Sequence, residues 1–200
     1  MAAARAHTVR IVGGRWKRTP LPVPEVEGLR PTPDRVRETL FNWLGQELRG
    51  RTCLDLFAGT GALGLEAASR GAARVWLVES DRRAARAIAA VLERLDANGV
   101  VRLVAGDALA ALAKARESGT RFDVVFLDPP FGRGWLQRVL PALTGLLAPG
   151  ARVYVESDAA LAQADVDRLL GPGWEILRAD RAGQVFYHLL RDTNSTKGET

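Results

Sequence analysis

One corner of the chain constrains its fold more than any other: Asp55-Leu56-Phe57-Ala58-Gly59-Thr60-Gly61-Ala62-Leu63-Gly64, which follows a short apolar run. Gly59, Gly61 and Gly64 satisfy G-x-G-x-x-G. Such a corner turns a strand sharply into a helix and lets a ligand touch the backbone, which a Cβ would block. The free amides of the following helix suit an anion, either a pyrophosphate or the carboxylate of an amino-acid-like cofactor. Around this corner the pattern alternates. Apolar runs at 52–57, 74–79, 100–105, 122–127 and 151–156 predict strands, and helical stretches separate them. In 82–95 the residues Ala84, Ile88, Val91, Leu92 and Leu95 form one stripe at helical spacing. Five strand–helix alternations predict an α/β fold, a mostly parallel sheet with helices on both faces. Residues 174–177 and 184–190 predict a closing hairpin.

Ahead of this region, residues 31–48 predict a helix, with Pro31 and Pro33 at its start and Val36, Leu40, Trp43 and Leu44 on one face. Residues 1–30 predict a basic extension. Gly13-Gly14 reads as a turn, with residues 8–12 as one arm of a hairpin. The expected organisation is therefore an extension over 1–30, a catalytic domain over 31–191 and a polar tail over 192–200. The net charge is +5, and Arg5, Arg10, Arg15, Lys17 and Arg18 supply five positive charges within residues 1–24, where no acid occurs. A localised excess of this kind points to a polyanionic partner. Trp16 lies among these cations, as suits an RNA backbone with an unpaired base. Arg10, Arg15, Trp16, Lys17 and Arg18 are thus the candidate RNA contacts. No apolar run of membrane-spanning length exists, and residues 1–8 lack the apolar core of a secretory signal. The single cysteine, Cys53, reads as a buried strand residue, and the expected compartment is the cytoplasm. His7 and His188 receive no role, and no cluster has metal-ligand spacing.

Two strand ends after the glycine corner carry acids. Glu79-Ser80 stands about 20 residues on, where a carboxylate accepting from two ribose hydroxyls is expected. Asp107-Ala108 ends the third strand. Asp107 can accept from an adenine amino group or cap the following helix, and the two roles can coexist. This set does not choose between NAD and S-adenosylmethionine.

Asp128-Pro129-Pro130-Phe131 makes that choice, because it directly follows the fourth strand. Two prolines fix the backbone and remove two N–H donors. What remains is a carboxylate, carbonyls and an aromatic ring facing the ligand crevice. An exocyclic base amine is a poor nucleophile because its lone pair is conjugated with the ring. Two acceptors on its hydrogens, Asp128 and the Pro129 carbonyl, pull the nitrogen toward pyramidal geometry and stabilise the charge it develops. Phe131 would stack on the base once it leaves its helix or loop.

These residues resemble the amino-methyltransferases that carry a D/N-P-P-Y/F motif. The resemblance is closer to the bacterial methyltransferases that modify guanine N2 in 16S small-subunit rRNA. The stretches that carry it are residues 28–42 (GLRPTPDRVRETLFN), 55–71 and 128–131, with Tyr154-Val155-Glu156-Ser157 and Ala182-Gly183-Gln184-Val185 later in the chain. The likeness covers roughly residues 9–190. It implies a seven-stranded Rossmann-like sheet with a reversed last strand. It also implies S-adenosylmethionine as donor, S-adenosylhomocysteine as product, and a guanine in the small subunit or an assembly intermediate as target, with the protein a monomer. It places Thr32 and Arg35 near the cofactor carboxylate. Together with Asp55, Phe57, Ala58, Gly59, Thr60, Gly61, Gly64, Glu79, Ser80, Asp107 and Ala108 these form the candidate cofactor set. Pro33 stands where the family pattern leads one to expect a small polar residue, and it is compatible with a first-turn helix position. The alternatives are an amino-methyltransferase on adenine N6 or a protein glutamine, an NAD-dependent oxidoreductase, and a non-catalytic RNA-binding assembly factor.

Overall fold

The computed structural model describes residues 8–26 and 31–194. Arg5, His7, residues 28–30 of the first family-like stretch, Lys197 and the tail beyond 194 lie outside the described residues. Elements follow in the order β1 (Thr8–Arg10), β2 (Pro20–Pro22), α1 (Asp34–Leu44), β3 (Thr52–Asp55), α2 (Ala62–Ser69), β4 (Arg74–Glu79), α3 (Arg82–Arg94), β5 (Val101–Ala105), α4 (Ala108–Glu117), β6 (Phe122–Leu127), α5 (Trp135–Ala142), β7 (Leu147–Ser157), α6 (Gln163–Leu170), β8 (Trp174–Ala182) and β9 (Val185–Asp192).

β3 to β9 form one seven-stranded sheet in the order β5-β4-β3-β6-β7-β9-β8. β5, β4, β3, β6 and β7 are parallel, and β9 runs antiparallel between β7 and β8. This is the Rossmann-like architecture with one reversed strand. The strands are apolar on both faces because both are covered. Cys53, Val75, Leu77, Val124 and Phe126 pack toward α1, α2 and α3 with Leu40, Leu65 and Ile88. Leu54, Trp76, Val78, Val125 and Leu127 pack the other way, with Leu112, Leu140 and Val166 of α4, α5 and α6. Burial pushes the Cys53 thiol up to about 12, so it serves as a small core residue.

Several boundaries differ from the sequence reading for identifiable reasons. α1 is shorter than 31–48. Proline at 33 restricts the residue before it, and Gly45 closes the helix in a left-handed conformation at φ 96°. β7 begins at Leu147, ahead of a register shift between Phe122 and Val124 of its partner, so Pro149-Gly150 lies in an irregular strand start where a turn would be read. β8 continues through the exposed Arg178–Arg181, because β9 supplies its ladder.

β1 pairs antiparallel with β2, whose central Leu21 is fully buried beside Ile11 in the core with Leu40 and Phe41. Prolines at both ends of β2 hide this arm from pattern reading. The intervening turn docks on α2, every residue of which is buried. Glu66 accepts from the amides of Val12 and Gly13, each at 2.7 Å, and from Arg70 Nε at 2.8 Å. The amide of Trp16 donates to Ser69 Oγ at 2.9 Å, and the amide of Arg15 to the Ser69 carbonyl at 2.7 Å. A Cβ on Gly14 would collide with that carbonyl oxygen, so the contact admits only glycine.

Candidate active site

The carboxyl ends of β3, β4, β6 and β7 each deliver an acid to one edge of the sheet: Asp55, Glu79, Asp128 and Glu156. The strand order reverses between β3 and β6, which is where such sheets bind ligands.

The glycine corner is held by hydrogen bonds to these acids. Gly59 and Gly61 adopt left-handed conformations, at φ 54° and 77°. Gly64 lies against the sheet, where a Cβ would collide with Leu77 Cδ2. The Gly59 amide donates to Glu79 Oε2 at 2.7 Å, the Gly64 amide to Asp55 Oδ2 at 2.9 Å and the Gly61 amide to the Ala58 carbonyl at 2.6 Å. Three amides that could grip a pyrophosphate are therefore already engaged, two of them with carboxyl groups. The corner suits a cationic ligand better than a polyanionic one.

Phe57, Ala58, Thr60, Ser80, Asp107 and Ala108 follow the ends of β3, β4 and β5 at the same edge, whereas Arg35 lies on α1. Ala58 donates its amide to the Val78 carbonyl, and Thr60 is buried. Phe57, half-buried, meets Trp135 edge-on at 5.3 Å. Ser80 is exposed beside Glu79, whose Oε1 accepts from the Asp81 amide at 2.7 Å. Asp107 is exposed and caps α4 through the amides of Leu109 and Ala110, and Ala108 beside it is buried. Arg35 is exposed on α1; its charge adds to the Arg181 amide and Tyr187 hydroxyl bonds that lower Asp180, and opposes the burial that pushes Tyr187 up to about 12.

Asp55 is buried, and its Oδ1 has no hydrogen-bond partner among the described residues. Burial pushes its carboxyl up to about 7, against the Gly64 amide and aided by the Glu79 charge. Asp128, half-buried at the end of β6, shares Thr32 with Glu156. Thr32 Oγ1 lies 3.4 Å from Asp128 Oδ2 and 3.0 Å from Glu156 Oε1. Tyr154 Oη donates to the same Glu156 oxygen at 2.9 Å. Burial, then the Glu156 and Asp55 carboxyls, hold Asp128 well above the ordinary carboxyl range. Burial raises Glu156 as well, opposed by the hydrogen bonds from Tyr154 and Thr32. Pro129 is buried, Pro130 is exposed, and Phe131 at 41% is the exposed large hydrophobic side chain among the described residues.

The structure brings Thr32, Asp55, Glu79 and Asp128 to one edge. The basic residues Arg10, Arg15, Lys17 and Arg18 are exposed on the hairpin and its turn, while Trp16 is partly buried against the core, with the Arg15 guanidinium 5.9 Å from its ring. Sequence reasoning assigned no role to Glu156, Tyr154 or Trp135. The first two lay in a stretch noted only for its family likeness. Their value rests on a hydrogen bond to Thr32, 124 residues away in sequence. His188 is buried, and its Nε2 accepts from the Leu161 amide at 3.1 Å.

A family model described as conserved hypothetical protein 95 matches residues 9–191. The chain is 46% identical over 185 residues to the ribosomal RNA small subunit methyltransferase D of Escherichia coli K12, spanning 92% of this chain and 89% of that protein. It is 38% identical over 186 residues to the protein of the same name from Haemophilus influenzae, spanning 92% and 94%. The solved structure of the putative methyltransferase yhhF from Escherichia coli superposes with a TM-score of 0.80 at 42% identity, covering 93% of this chain and 98% of that one.

Proposed function

The chain belongs to the conserved hypothetical protein 95 family, together with the small-subunit ribosomal RNA methyltransferases D, and on that premise we propose that it methylates the exocyclic N2 amine of a guanine in 16S rRNA. It is an S-adenosylmethionine-dependent rRNA methyltransferase. We further propose that its substrate is the small subunit or an assembly intermediate, that it acts as a monomer in the cytoplasm, and that S-adenosylhomocysteine is the product. Among the described residues no helix is long and apolar enough to cross a membrane.

The residues at the sheet edge fit this cofactor. S-adenosylmethionine, when bound, supplies a methyl group on a sulfonium, next to an ammonium, two ribose hydroxyls and an adenine amine. The unpartnered Asp55 Oδ1 matches the ammonium. Glu79 keeps lone pairs for ribose hydroxyls, and Asp107 is exposed and can accept from the adenine amine. Gly59, Thr60, Gly61 and Gly64 would form the floor, with Phe57, Ala58, Ser80 and Ala108 as walls, and Thr32 and Arg35 at the methionine end.

The observation that carries the reading is the donor-free corner after β6. There Asp128 and the Pro129 carbonyl accept the amine hydrogens, and the exposed Phe131 ring offers a stacking face for the base. Asp128 orients the nitrogen lone pair and offsets the positive charge that grows on nitrogen. Arg10, Arg15, Lys17 and Arg18, with Trp16 among them, would position the RNA backbone from the 1–30 extension.

The test incubates the protein and labelled donor with undermodified small subunits, then digests the rRNA and identifies the methylated nucleoside. N2-methylguanosine is expected, and label on adenine or on protein would overturn the assignment. Asp128→Ala should retain RNA and cofactor binding while the transfer rate falls by at least about 100-fold, the scale of a lost preorganised acceptor.

A further inference from the structure

Building on the transfer reaction just proposed, the geometry assigns a role to a residue that touches neither donor nor base. Glu156 lies at the end of β7, behind Asp128, and is 4% exposed. A carboxyl buried to that degree next to a second carboxyl is costly unless something holds the pair. What holds it is Thr32, whose hydroxyl bridges the two at 3.4 and 3.0 Å, with Tyr154 Oη completing Glu156 Oε1. Arg37, fully buried on α1, fixes Thr32 from the other side by donating Nε to its carbonyl at 3.3 Å. A hydroxyl has one proton to donate and lone pairs to accept, so it can point toward either carboxyl but not both.

We propose that Glu156 is a positioning residue for methyl transfer: through the Thr32 hydroxyl it exchanges one proton with Asp128, and the direction of that hydroxyl decides whether Asp128 is free to accept from the amine. In the resting arrangement Asp128 carries the proton and donates it to Thr32 Oγ1, while the Thr32 hydroxyl donates to Glu156. The amine hydrogens favour the opposite arrangement. The Asp128 O–H bond breaks as its proton joins Thr32 Oγ1, the former Thr32 proton moves to Glu156 Oε1, and the net charge of the trio is unchanged. Asp128, now a carboxylate, accepts the amine hydrogens. After transfer it takes the nitrogen's surplus proton while the N–H electron pair stays on nitrogen, and one of the trio's two protons then passes to water, which restores the resting charge.

The groups facing Asp128 set the sign of the expected pH effect. Asp55 on β3 and Glu156 on β7 are like charges that raise its proton affinity, and Thr32 ahead of α1 lowers it. Tyr154 on β7 and Tyr187 on β9 stand behind Glu156, with their rings 6.3 Å apart, and Glu79 on β4 bears on Asp55. Removing the Glu156 charge therefore eases ionisation of Asp128. Thr32 accepts from protonated Asp128 and donates to ionised Asp128, and the second bond is charge-assisted and the stronger, so removing the hydroxyl hinders ionisation.

The experiment follows the Asp128 carboxyl by carbon-13 NMR in the free protein, assigned by its loss in Asp128→Asn, and measures single-turnover methyl transfer from about pH 5 to about pH 9. Glu156→Gln should lower both the NMR midpoint and the acidic limb by about one pH unit or more, and Thr32→Val should raise both. A purely structural role would reduce the rate at every pH and move neither midpoint. Unmoved midpoints, or shifts in the same direction in both variants, would overturn the proposal. If Glu156→Gln does not fold, Tyr154→Phe carries the test. It removes the hydrogen bond that favours the charged Glu156, so Asp128 should again titrate lower, and an unmoved midpoint would again overturn the proposal. Because the NMR titration uses neither RNA nor donor, it stands even if the methylated base proves to be another.

Discussion

Asp55 combines a buried carboxyl with a carboxyl oxygen that has no partner, and this makes it sensitive to pH in a definite direction. Its ordinary value is 3.8 and its folded value about 7. The folded protein therefore binds more protons than the unfolded chain between those limits, so stability falls as pH rises through that window. Below it both states are protonated and the penalty vanishes. Denaturant titrations of the wild type and Asp55→Asn should show the wild type losing ground to the variant from about pH 4 to about pH 7; a constant difference across that range would contradict the assignment. The positions of Asp55, Glu79 and Asp128 at strand ends were legible in sequence, because strand periodicity fixes where each strand ends, and so was the capping of α4 by Asp107. Glu156 was not, since its meaning depends on Thr32 and Tyr154, and no local pattern records such a partnership. The engaged amides of Gly59, Gly61 and Gly64 were equally hidden. A G-x-G-x-x-G spacing states that a backbone can be approached, not which group has already approached it.

At the level of elements, strongly periodic segments gave themselves away. The stripe of Ala84, Ile88, Val91 and Leu92 is buried on α3 as its spacing requires, and Asp81 caps that helix through the amides of Arg83 and Ala84. Elements held mainly by their neighbours did not. β2 is bracketed by proline, β7 starts in an irregular Pro-Gly stretch, and the outer half of β8 is charged and exposed, so each exists because an adjacent strand completes it. The hairpin made by β1 and β2 leads to a prediction at this scale. Arg15 is fixed through its backbone, but its side chain and that of Lys17 are exposed. Arg15→Ala combined with Lys17→Ala should leave the fold unchanged, weaken RNA binding, and reduce the slope of log K against log salt by about one for each phosphate no longer neutralised. Filter binding across a salt series reads this directly, and an unaltered slope would locate the RNA elsewhere.

Across the whole molecule, the extension that composition singled out as a basic appendage is tied into the body. Glu66 is fully buried, and it is held by the Val12 and Gly13 amides, by Arg70 and, at 3.7 Å, by the buried Arg37. Removing residues 1–21 would take the Val12 and Gly13 amides from that carboxylate, leaving it to Arg70 and Arg37, and would withdraw Ile11 and Leu21 from the core. Emptying the place of even one such fully buried aliphatic side chain costs about 2–5 kcal/mol, a large share of a domain's stability. The shortened chain should therefore lose its cooperative thermal transition by circular dichroism, whereas a freely attached arm would leave the melting temperature in place. Net charge made the arm visible in the sequence, but charge says nothing about what lies beneath it. The seat that Gly14 takes against the Ser69 carbonyl has a consequence for engineering. Arm and helix were fitted as lock and bolt, so a chimera that borrows the first 26 residues of a cousin should work only when it borrows the matching α2 as well.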